Sequence, residues 1–510
     1  MYAMNIGEWP KRWADRYPDE PYIKYGDLSL TRRDFNCRVN RFANAFYESG
    51  IKKGDRVAAL MGNSNVFLEI LFALSKIGGI MVPLNFRLAA PELEFILHDS
   101  EPVMMIYSPE FIQLMGELRG KIPSIKEYMC EMEGGTAGDM LIEKWISSKS
   151  DEEPVVKVDV TLNDPHFIMY TSGTTGKPKG AVVLQQNTQW NAINAIHIYG
   201  YGMNSATVSL CAAPLFHIGA LHASATPGLY AGAKTIIQRF FNPNETLKII
   251  ETEKVTVMFG IPVMFLFMMM DKDFEKTDFS SVNFFIAGGS PCPTSLIESF
   301  LKKGVTFNQG YGMTETATAI TALKSVDAMR KVGSCGKPVF HTDVRIADLY
   351  GKDCPHGEIG EVLVKGPNVI REYWRRPKES AETITDGWLK SGDMGYFDDE
   401  GYLFLVDRKK DMYISGGENV YPAEVEDVLM KYDKVADAGV IGIPDDKWGE
   451  VGMAIVVKKP GTEVTEREII DFCKDKLAKY KIPKKVAFTD ALPRTATGKI
   501  LKKTLREQFL

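Results

Sequence analysis

The chain has little cysteine and no long apolar run, and both absences exclude classes of protein. Its seven cysteines among 510 residues include no C-x-x-C pair, so neither a zinc site nor a disulfide framework is indicated. The N-terminal segment MYAMNIGEWPKRWADRYPDEP contains no apolar signal core. The most apolar stretch, residues 66–84, carries Glu69, Lys76 and two adjacent glycines, and it is too short and too interrupted for a membrane span. We therefore expect a cytoplasmic protein.

The chain as a whole also has no marked excess of charge of one sign. The formal net charge is −5, with 45% hydrophobic and 25% charged residues, which is ordinary for a globular protein and gives no reason to expect a nucleic-acid partner. Residues 474–510 differ, because they contain eleven Lys or Arg and three acidic residues. This basic tail is either a solvated helix face or a surface for phosphates, with weak peripheral membrane contact as an alternative. The oligomeric state stays open, and a homodimer is one option.

A repeated layout of short apolar runs followed by Gly, Pro or Ser clusters occupies the middle of the chain. The runs and the clusters that follow them are HFIMY before TSGTTGKPKG, TVSLCAA before PLFHIGA, VTVMF before GIP, VNFFIA before GGSP, and VTFNQ before GYGMTET. Helix-like segments such as 242–253 and 294–303 lie between them. This alternation predicts an α/β fold with a largely parallel sheet and helices on both faces. Ligands bind such sheets at the carboxyl ends of the strands, so these five loops are expected to surround one site.

The predicted pattern of secondary structure changes after about residue 343. Shorter strands and hairpins follow, with DDEG as an expected turn. The charged cluster DRKKD at 407–411 interrupts two strand-like runs and is a candidate linker. The roughly one hundred residues that follow this linker are expected to form a small α+β domain.

Five strings together carry a resemblance that covers essentially the whole chain. They occur in the order YTSGTTGKPKG, NQGYGMTET, SGDMGYFDDEGYL, DRKKDMYISGGENVYPAEVE and PRTATGKILKKTLR. In this order they resemble the adenylate-forming superfamily, specifically the acyl-CoA synthetases, and PLNFRLAAPELEFILHDSEP resembles the fatty-acid and aryl-acid CoA ligases within it. The resemblance implies an N-terminal AMP-binding domain over 1–406 with parallel and mixed sheets layered with helices. It also implies a hinge at 407–410 and a small mobile C-terminal domain at 411–510, with the active site between the domains.

The resemblance implies ATP, Mg²⁺ and coenzyme A, and a reaction in two steps. A carboxylate first attacks the α-phosphorus of ATP, and the thiol of coenzyme A then displaces AMP. A carboxylate is already ionised at pH 7, so the enzyme must neutralise and position rather than deprotonate. A medium- to long-chain fatty acid is the expected substrate. The alternatives are an aryl or alicyclic acid, a carrier protein loaded in trans, and, with weaker support, a luciferase-type oxygenase.

The glycine- and hydroxyl-rich loop at 169–180 differs from the usual P-loop. Pro178 follows Lys177 where a P-loop has Ser or Thr, and proline disfavours a helix at the residue before it. Hydroxyls, close backbone N–H groups and lysines suit phosphate oxygens, and a loop without a helix anchor is able to release pyrophosphate. We therefore expect this loop to bind ATP through Thr171, Ser172, Gly173, Thr174, Thr175, Gly176, Lys177 and Lys179.

The resemblance assigns further nucleotide and metal contacts. Gly288, Gly289 and Ser290 match the family segment that passes between the adenine and the acyl pocket. The residues expected to border the adenine and to follow that border are Gln309, Gly310, Tyr311, Gly312 and Met313. Thr314 matches the α-phosphate contact, while Glu315, together with Thr171, is expected to bind Mg²⁺ because hard cations prefer oxygen ligands. Asp393 and Arg408 match ribose and phosphate contacts.

Catalytic roles are implied for Lys499, Thr314, Glu315 and His217. Lys499 matches the lysine that bridges the substrate carboxylate and the α-phosphate, a role suited to a compact ammonium group. Lys410 matches the hinge position. The pantetheine path of coenzyme A matches Ser415, Gly416, Gly417 and Glu418.

The acyl pocket is expected to be apolar. Amino-acid-activating relatives carry Asp where this chain has His217, which argues against an amino-acid substrate. The pocket residues implied are His217, Gly219, Ala220, Met264, Gly289 and Met313, with the apolar run at 263–270 read either as a core helix or as a pocket wall. One departure is Gln186, where relatives usually carry His after GAVVL, and no specific role is assigned there.

Overall fold

The computed structural model describes residues 5–171, 178–198, 203–290, 292–416, 418–474, 476–494 and 500–510. Positions 172–177, 417 and 499, which belong to the predicted site, lie outside the described residues. The chain divides into two compact units, of which the first comprises 1–344 and 364–389 and the second comprises 345–363 and 390–510. A division by packing does not identify a hinge, so the boundary at 406 and the hinge at 407–410 stay predictions.

Helices occur throughout the described residues. They are α1 (Trp9–Arg16), α2 (Arg32–Glu48), α3 (Asn65–Ile77), α4 (Ala90–Ser100), α5 (Ile112–Leu118), α6 (Ile142–Ser147), α7 (Gln185–Ile198), α8 (Ile218–Ala220), α9 (Thr226–Ala231), α10 (Pro243–Thr252), α11 (Pro262–Met270), α12 (Thr294–Leu301), α13 (Ser325–Ala328), α14 (Pro377–Thr383), α15 (Pro422–Leu429), α16 (Glu466–Lys474) and α17 (Lys502–Phe509). Short 3-10 turns lie at Ile6–Glu8, Pro109–Phe111 and Thr314–Thr316, and a π-helical turn lies at Leu221–Ala225.

The strands fall into both units. They are β1 (Pro21–Tyr25), β2 (Leu28–Thr31), β3 (Arg56–Leu60), β4 (Ile80–Pro83), β5 (Met104–Tyr107), β6 (Glu127–Cys130), β7 (Met140–Leu141), β8 (Pro165–Thr171), β9 (Lys179–Leu184), β10 (Val208–Cys211), β11 (Lys234–Ile237), β12 (Val257–Gly260), β13 (Phe284–Gly288), β14 (Phe307–Met313), β15 (Thr318–Leu323), β16 (Ser334–Pro338), β17 (Asp343–Ala347), β18 (Gly360–Lys365), β19 (Glu372–Tyr373), β20 (Ile384–Thr385), β21 (Trp388–Phe397), β22 (Leu403–Arg408), β23 (Tyr413–Ser415), β24 (Glu418–Val420), β25 (Val435–Asp445), β26 (Gly449–Lys458) and β27 (Lys485–Phe488).

The first unit contains the parallel sheet that the sequence predicts. Strands β11, β10, β12, β13 and β14 are neighbours in that order and pair in parallel. Helices α10 and α12 lie between successive strands, as expected for 242–253 and 294–303. The predicted mixed α/β architecture is confirmed, and the loops after β10, β12 and β13 leave the sheet at its carboxyl edge.

The hydroxyl-rich loop belongs to a different sheet from the other four. Its flanking strands β8 and β9 pair antiparallel and lie in the order β19-β9-β8-β4-β3-β5-β6-β7. The expectation of one sheet carrying all five loops was therefore wrong for this loop. A parallel return would need a crossover of about a dozen residues or more, and the connection between these strands is shorter.

The strand that bears NQGYGM also differs from prediction. Instead of ending near Gln309, β14 continues to Met313 and pairs antiparallel with β15. A register shift lies between Tyr311 and Gly312. A Cβ on Gly312 would lie 1.2 Å from the Thr318 carbonyl oxygen, so this close approach of the two strands requires glycine.

An aromatic cluster packs beneath the parallel sheet and positions α11. The ring of Phe265 lies 5.2 Å from that of Phe285 and 4.9 Å from that of Phe307, measured between centroids. Met264 and Met268 are buried with Phe265. The apolar run at 263–270 is therefore a helix with one face in the core. Within the described ranges, no helix is long and apolar enough to cross a membrane.

The second unit contains shorter strands, as the sequence predicts. One set lies in the order β17-β18-β21-β22, and another lies in the order β24-β23-β26-β25 with β27 beside β26. The DDEG segment forms the expected turn between β21 and β22, closed by a hydrogen bond from Gly401 N to Asp398 O. All seven cysteines carry free thiols.

Glu69 provides a test of the packing of the first unit. Its carboxylate is fully buried and accepts two hydrogen bonds from Arg38, at 2.7 and 3.1 Å. Burial raises its pKa above the ordinary value, and the charge of Arg38 opposes that shift. We expect Arg38→Ala to lower the free energy of unfolding by about 3–5 kcal/mol, because it leaves a buried carboxylate unpaired.

The matched control is Arg41→Ala. Arg41 lies on the same helix as Arg38, and its ion pair with Asp151 is more exposed. Its expected cost is below about 1 kcal/mol. Urea denaturation of both variants measures the difference. Similar losses for the two variants would contradict the description of Arg38 and Glu69 as a buried pair.

Candidate active site

The ends of β13 and β14 form one edge of the candidate site. Their parallel register places Gly288 opposite Gly310. A Cβ on Gly288 would lie 3.2 Å from the Gly310 carbonyl oxygen, and Gly289 has a φ of +85°. Gly289 and Ser290 are exposed at this edge. The structure therefore brings together the two glycine-containing segments that the sequence predicts for the nucleotide.

The turn after β14 carries Thr314 and Glu315, and hydrogen bonds fix its backbone. The Ile370 amide donates to the Glu315 carbonyl at 2.9 Å. The buried Asn368 side chain donates to the carbonyls of Thr316 and Ala319, at 2.9 and 2.8 Å. Because buried carbonyl groups are costly to leave unpaired, these bonds hold the turn in one conformation.

The Glu315 carboxylate is buried and oriented by Tyr373. The Tyr373 hydroxyl donates to Glu315 Oε1 at 2.8 Å. Tyr373 reaches this place because β19 pairs with β9, which sets it opposite Ala181. The Lys179 ammonium lies 5.4 Å from the centroid of the Tyr373 ring. Tyr373 thus connects two predicted site residues, and no motif in the sequence indicates it.

The donor set around Glu315 fits Mg²⁺ rather than a metal held only by protein. In the part of the chain that the structure describes, no group of three or more His, Cys, Asp or Glu side chains could hold a metal ion. Mg²⁺ is commonly bound by one or two carboxylates together with phosphate oxygens of a substrate. One buried carboxylate with a single oriented oxygen suits that pattern.

Thr171 lies at the end of β8, directly before the undescribed loop. It is opposite Lys179 in the β8–β9 ladder, and its hydroxyl is 3.5 Å from the Lys179 carbonyl oxygen. Both ends of the hydroxyl-rich loop are thereby fixed on one hairpin. The predicted contacts of positions 172–177 lie outside the described residues.

The predicted acid pocket contains an aromatic ring that sequence reasoning missed. A Cβ on Gly219 would lie 3.0 Å from Phe259 Cζ, and one on Gly288 would lie 3.2 Å from Phe259 Cε2. The space beside Gly219, one of the predicted pocket residues, is therefore taken by this ring. Ala220 and Met264 are buried in the same cluster as Phe259, and Met313 is half-buried.

His217 is exposed and begins α8. Its Nδ1 accepts a hydrogen bond from the Gly219 amide at 3.4 Å. This contact agrees with a helix-capping residue, and its predicted catalytic role stays a prediction. The Gln186 position, where the sequence departs from its relatives, lies in the first turn of α7.

In the second unit, Asp393 and Arg408 are directly paired. They are opposite each other in the β21–β22 ladder, and Arg408 Nε lies 2.7 Å from Asp393 Oδ1. Asp393 is buried and Arg408 is half-buried. The structure thus brings together the two residues predicted to contact ribose.

The predicted hinge and coenzyme A residues lie further along the second unit. Lys410 is exposed in a tight turn, where the amides of Asp411 and Met412 both donate to the Arg408 carbonyl. Ser415 and Glu418 are opposite each other at the β23–β24 hairpin. Between them, Gly416 has a φ of +62° and a Cβ there would lie 2.7 Å from the Trp448 ring, so the turn requires glycine.

Two family models match the chain. One, described as AMP-binding enzyme, covers residues 10–374, and the other, described as AMP-binding enzyme C-terminal domain, covers residues 424–499. A feruloyl-CoA synthase from Amycolatopsis sp is 41% identical over 100% of both chains. The long-chain-fatty-acid–CoA ligase FadD13 of Mycobacterium tuberculosis is 39% identical over 95% of this chain and 94% of its own.

Solved structures match over the same length. The Mycobacterium tuberculosis fatty acyl CoA synthetase has a TM-score of 0.83 at 36% identity, covering 99% of this chain and 98% of its own. The o-succinylbenzoate coenzyme A synthetase of Bacillus subtilis, in complex with ATP and magnesium ion, has a TM-score of 0.85 at 32% identity, covering 98% and 99%. The chain therefore belongs to the AMP-binding enzyme family and, within it, to the acid–CoA ligases of the adenylate-forming superfamily.

Proposed function

We propose that this protein joins a carboxylic acid to ATP as an acyl-adenylate and then transfers the acyl group to coenzyme A, with release of pyrophosphate and AMP. The observation that carries the proposal is the Thr314–Thr316 turn at the end of β14. Its carbonyls are held by buried donors, and its Glu315 carboxylate is oriented by Tyr373. An oriented carboxylate beside glycine-lined strand ends is suited to a magnesium nucleotide.

In the first step, a carboxylate oxygen attacks the α-phosphorus and the bond to pyrophosphate breaks. The acid is already ionised, so the barrier lies in bringing one anion to another. Lys179 and Lys499 supply positive charge, and Thr314 supplies a hydroxyl to the α-phosphate. Mg²⁺ on Glu315 would neutralise phosphate charge when it is bound.

The remaining predicted residues bind the nucleotide and the second substrate. Gly288, Gly289 and Gln309–Met313 border the adenine. Asp393 and Arg408, which are paired with each other, bind the ribose. In the second step the thiol sulfur of coenzyme A attacks the acyl carbonyl carbon and AMP leaves, with the segment at 415–418 lining the pantetheine path and 407–410 acting as a hinge.

An aromatic acid is the substrate class that the pocket favours. Phe259 fills the space beside Gly219 and Gly288, which puts an aromatic ring next to two residues predicted to line the site. The 41% identity to a feruloyl-CoA synthase and the 36% identity to an indoleacetate–CoA ligase support the same class. A medium- to long-chain fatty acid is the second candidate, supported by the 39% identity to FadD13.

A panel of acids scored by pyrophosphate release tests the function and separates the two classes. We expect saturation with hydroxycinnamates or arylacetates and a lower kcat/KM for C8–C16 fatty acids. A second assay offers either coenzyme A or a carrier protein to the preformed acyl-adenylate, and thioester formation with coenzyme A is expected. Light emission with oxygen would instead support the oxygenase alternative, and the absence of pyrophosphate release with every acid would refute the proposal.

Lys499→Ala is expected to abolish adenylation while largely sparing thioester formation from preformed acyl-adenylate. The ammonium group offsets charge only while the acid attacks the α-phosphate. Rapid-quench measurement of each half-reaction checks this division. The matched control is Lys503→Ala, a lysine of the same segment whose side chain is 65% exposed and lies 3.7 Å from Glu507. Equal loss in both half-reactions for Lys499→Ala would contradict the assignment.

Phe259→Ala is expected to shift the preference toward longer or bulkier acids. Removing the ring opens space beside Gly219 and Gly288, and one extra methylene in an apolar pocket changes kcat/KM by about 10- to 200-fold. The ratio of kcat/KM for a long acid to that for a short acid measures the shift. Phe300→Leu, in the same core cluster, is the control for loss of packing alone. An unchanged ratio would show that Phe259 does not limit the pocket.

A further inference from the structure

A buried chain of two histidines and a threonine connects the two segments predicted to handle phosphates. His166 Nε2 lies 2.7 Å from Thr188 Oγ1, and Thr188 Oγ1 lies 3.1 Å from His222 Nε2. His222 Nδ1 lies 3.1 Å from the carbonyl oxygen of Ala317. All four residues are at most 1% exposed. This chain of hydrogen bonds runs from β8, which leads into the hydroxyl-rich loop, to Ala317, the residue directly after the Thr314–Thr316 turn.

The carbonyl oxygen of Ala317 determines the direction of every hydrogen bond in this chain. A carbonyl only accepts, so His222 must carry its proton on Nδ1. A neutral His222 then has an acceptor at Nε2, to which the Thr188 hydroxyl donates. Thr188 has no second proton, so His166 Nε2 must donate to it. One set of tautomers satisfies the whole chain.

Burial keeps both imidazoles neutral, which this arrangement requires. It lowers the pKa of His222 to about 4, although the contact with the Ala317 carbonyl opposes the shift. It also lowers the pKa of His166 well below the usual range, with the charge of His222 adding to the effect. A cationic His222 would donate to Thr188 from Nε2 and so reverse the chain: the Thr188 hydroxyl would donate to His166 Nε2, and the His166 proton would move to Nδ1, which lies 3.4 Å from Ser75 Oγ.

The backbone that receives this hydrogen bond is strained. Ala317 has a φ of 47° and Thr318 has a φ of 99°. Positive φ is uncommon for residues other than glycine and is unfavourable for a β-branched residue such as threonine. Strain of this kind persists only where the surroundings hold it in place. The donor is itself in an unusual element, because His222 lies in the π-helical turn Leu221–Ala225. Such turns are rare in proteins, and those that occur are often found at functional sites.

A second buried side chain ties the same two segments together. Asn191 Nδ2 donates to the His222 carbonyl at 2.6 Å, and its Oδ1 accepts from the Ala319 amide at 3.4 Å. The π-helical turn is therefore fixed to the segment after Thr316 through its backbone as well as through its imidazole.

We infer that His222 is a positioning residue for the reaction: its Nδ1–H holds the strained Ala317 backbone and thereby keeps Thr314 and Glu315 aimed at the nucleotide. Thr188 and His166 set the tautomer that makes His222 a donor. The inference rests on the proposed function, since it assigns a purpose to the geometry of the turn. It adds residues that carry no phosphate-binding motif and do not belong to the predicted site.

Two substitutions at His222 separate positioning from packing. Asparagine carries its amide nitrogen at the same place along the side chain as the imidazole Nδ1, so His222→Asn keeps a donor for the Ala317 carbonyl. Glutamine carries its amide at the position of Nε2, so His222→Gln keeps a partner for Thr188 and loses the donor. We expect the kcat for pyrophosphate release to fall about 10- to 100-fold in His222→Gln, the range for lost outer contacts of a site. We expect the loss of kcat in His222→Asn to stay below about tenfold, the lower bound of that range.

Arg38→Ala provides the control for loss of stability alone. It is expected to lower Tm without changing kcat, since Arg38 lies in the buried pair with Glu69 and away from this chain. Equal losses of kcat in His222→Gln and His222→Asn that follow their losses of Tm would overturn the inference. A wild-type kcat in His222→Gln would do the same.

Two readouts do not depend on turnover. Nitrogen-15 NMR of the imidazoles is expected to show His222 protonated on Nδ1 and His166 protonated on Nε2, and the opposite tautomer at His222 would refute the inference. Calorimetric titration with ATP and Mg²⁺ is expected to show binding about tenfold weaker in His222→Gln than in His222→Asn, again by the range for lost outer contacts, and equal binding would refute it. If wild type releases no pyrophosphate with any acid, the proposed function fails, while these two measurements still decide the inference.

Discussion

The hydrogen bonding of the turn after β14 is the constraint on which the rest of the site depends. The carbonyl groups of Glu315, Thr316, Ala317 and Ala319 each accept a bond from a buried donor, and those donors come from distant parts of the first unit. A buried carbonyl that is left unpaired costs about 1–3 kcal/mol of folding free energy, so each of these bonds favours the observed conformation of the turn. These bonds hold the backbone that carries Glu315, and Tyr373 orients its carboxylate, an arrangement of the kind that electrostatic preorganisation requires.

Predicted site residues around this turn come from two sheets of the first unit. One sheet supplies the glycine-containing ends of β13 and β14. The other supplies the β8–β9 hairpin with Thr171 and Lys179, and β19 adds Tyr373 to that hairpin. Tyr373 then donates across to Glu315. Residues predicted to bind phosphate, on one sheet, and a carboxylate predicted to bind the metal, after a strand of the other, are thus joined through a single phenol. The buried hydrogen bonds of His166, Thr188 and His222 run from β8 to Ala317, directly after the same turn.

The second unit shows a more local organisation. Asp393 and Arg408 meet because they are opposite each other on adjacent strands. Gly416 is required by the turn that packs against Trp448. The buried Lys502 of α17 lies 3.1 Å from Glu426 and 3.8 Å from Asp407, so the C-terminal helix is tied to the first residue of the predicted hinge.

Residue types and spacing alone determined the mixed α/β class, the helices between the parallel strands, the family, and the segments expected to bind phosphate, adenine and magnesium. These properties are local, because glycine, hydroxyl and carboxylate groups act on a ligand through their own chemistry. Tertiary structure alone decided that β8 and β9 form a hairpin in a second sheet and that β14 continues to Met313. It also decided that Phe259 occupies the space beside Gly219, and that Tyr373 and His222 support the turn. Those contacts join residues that are far apart in the chain. Strand register and buried hydrogen bonding select them, and no short stretch of sequence encodes either.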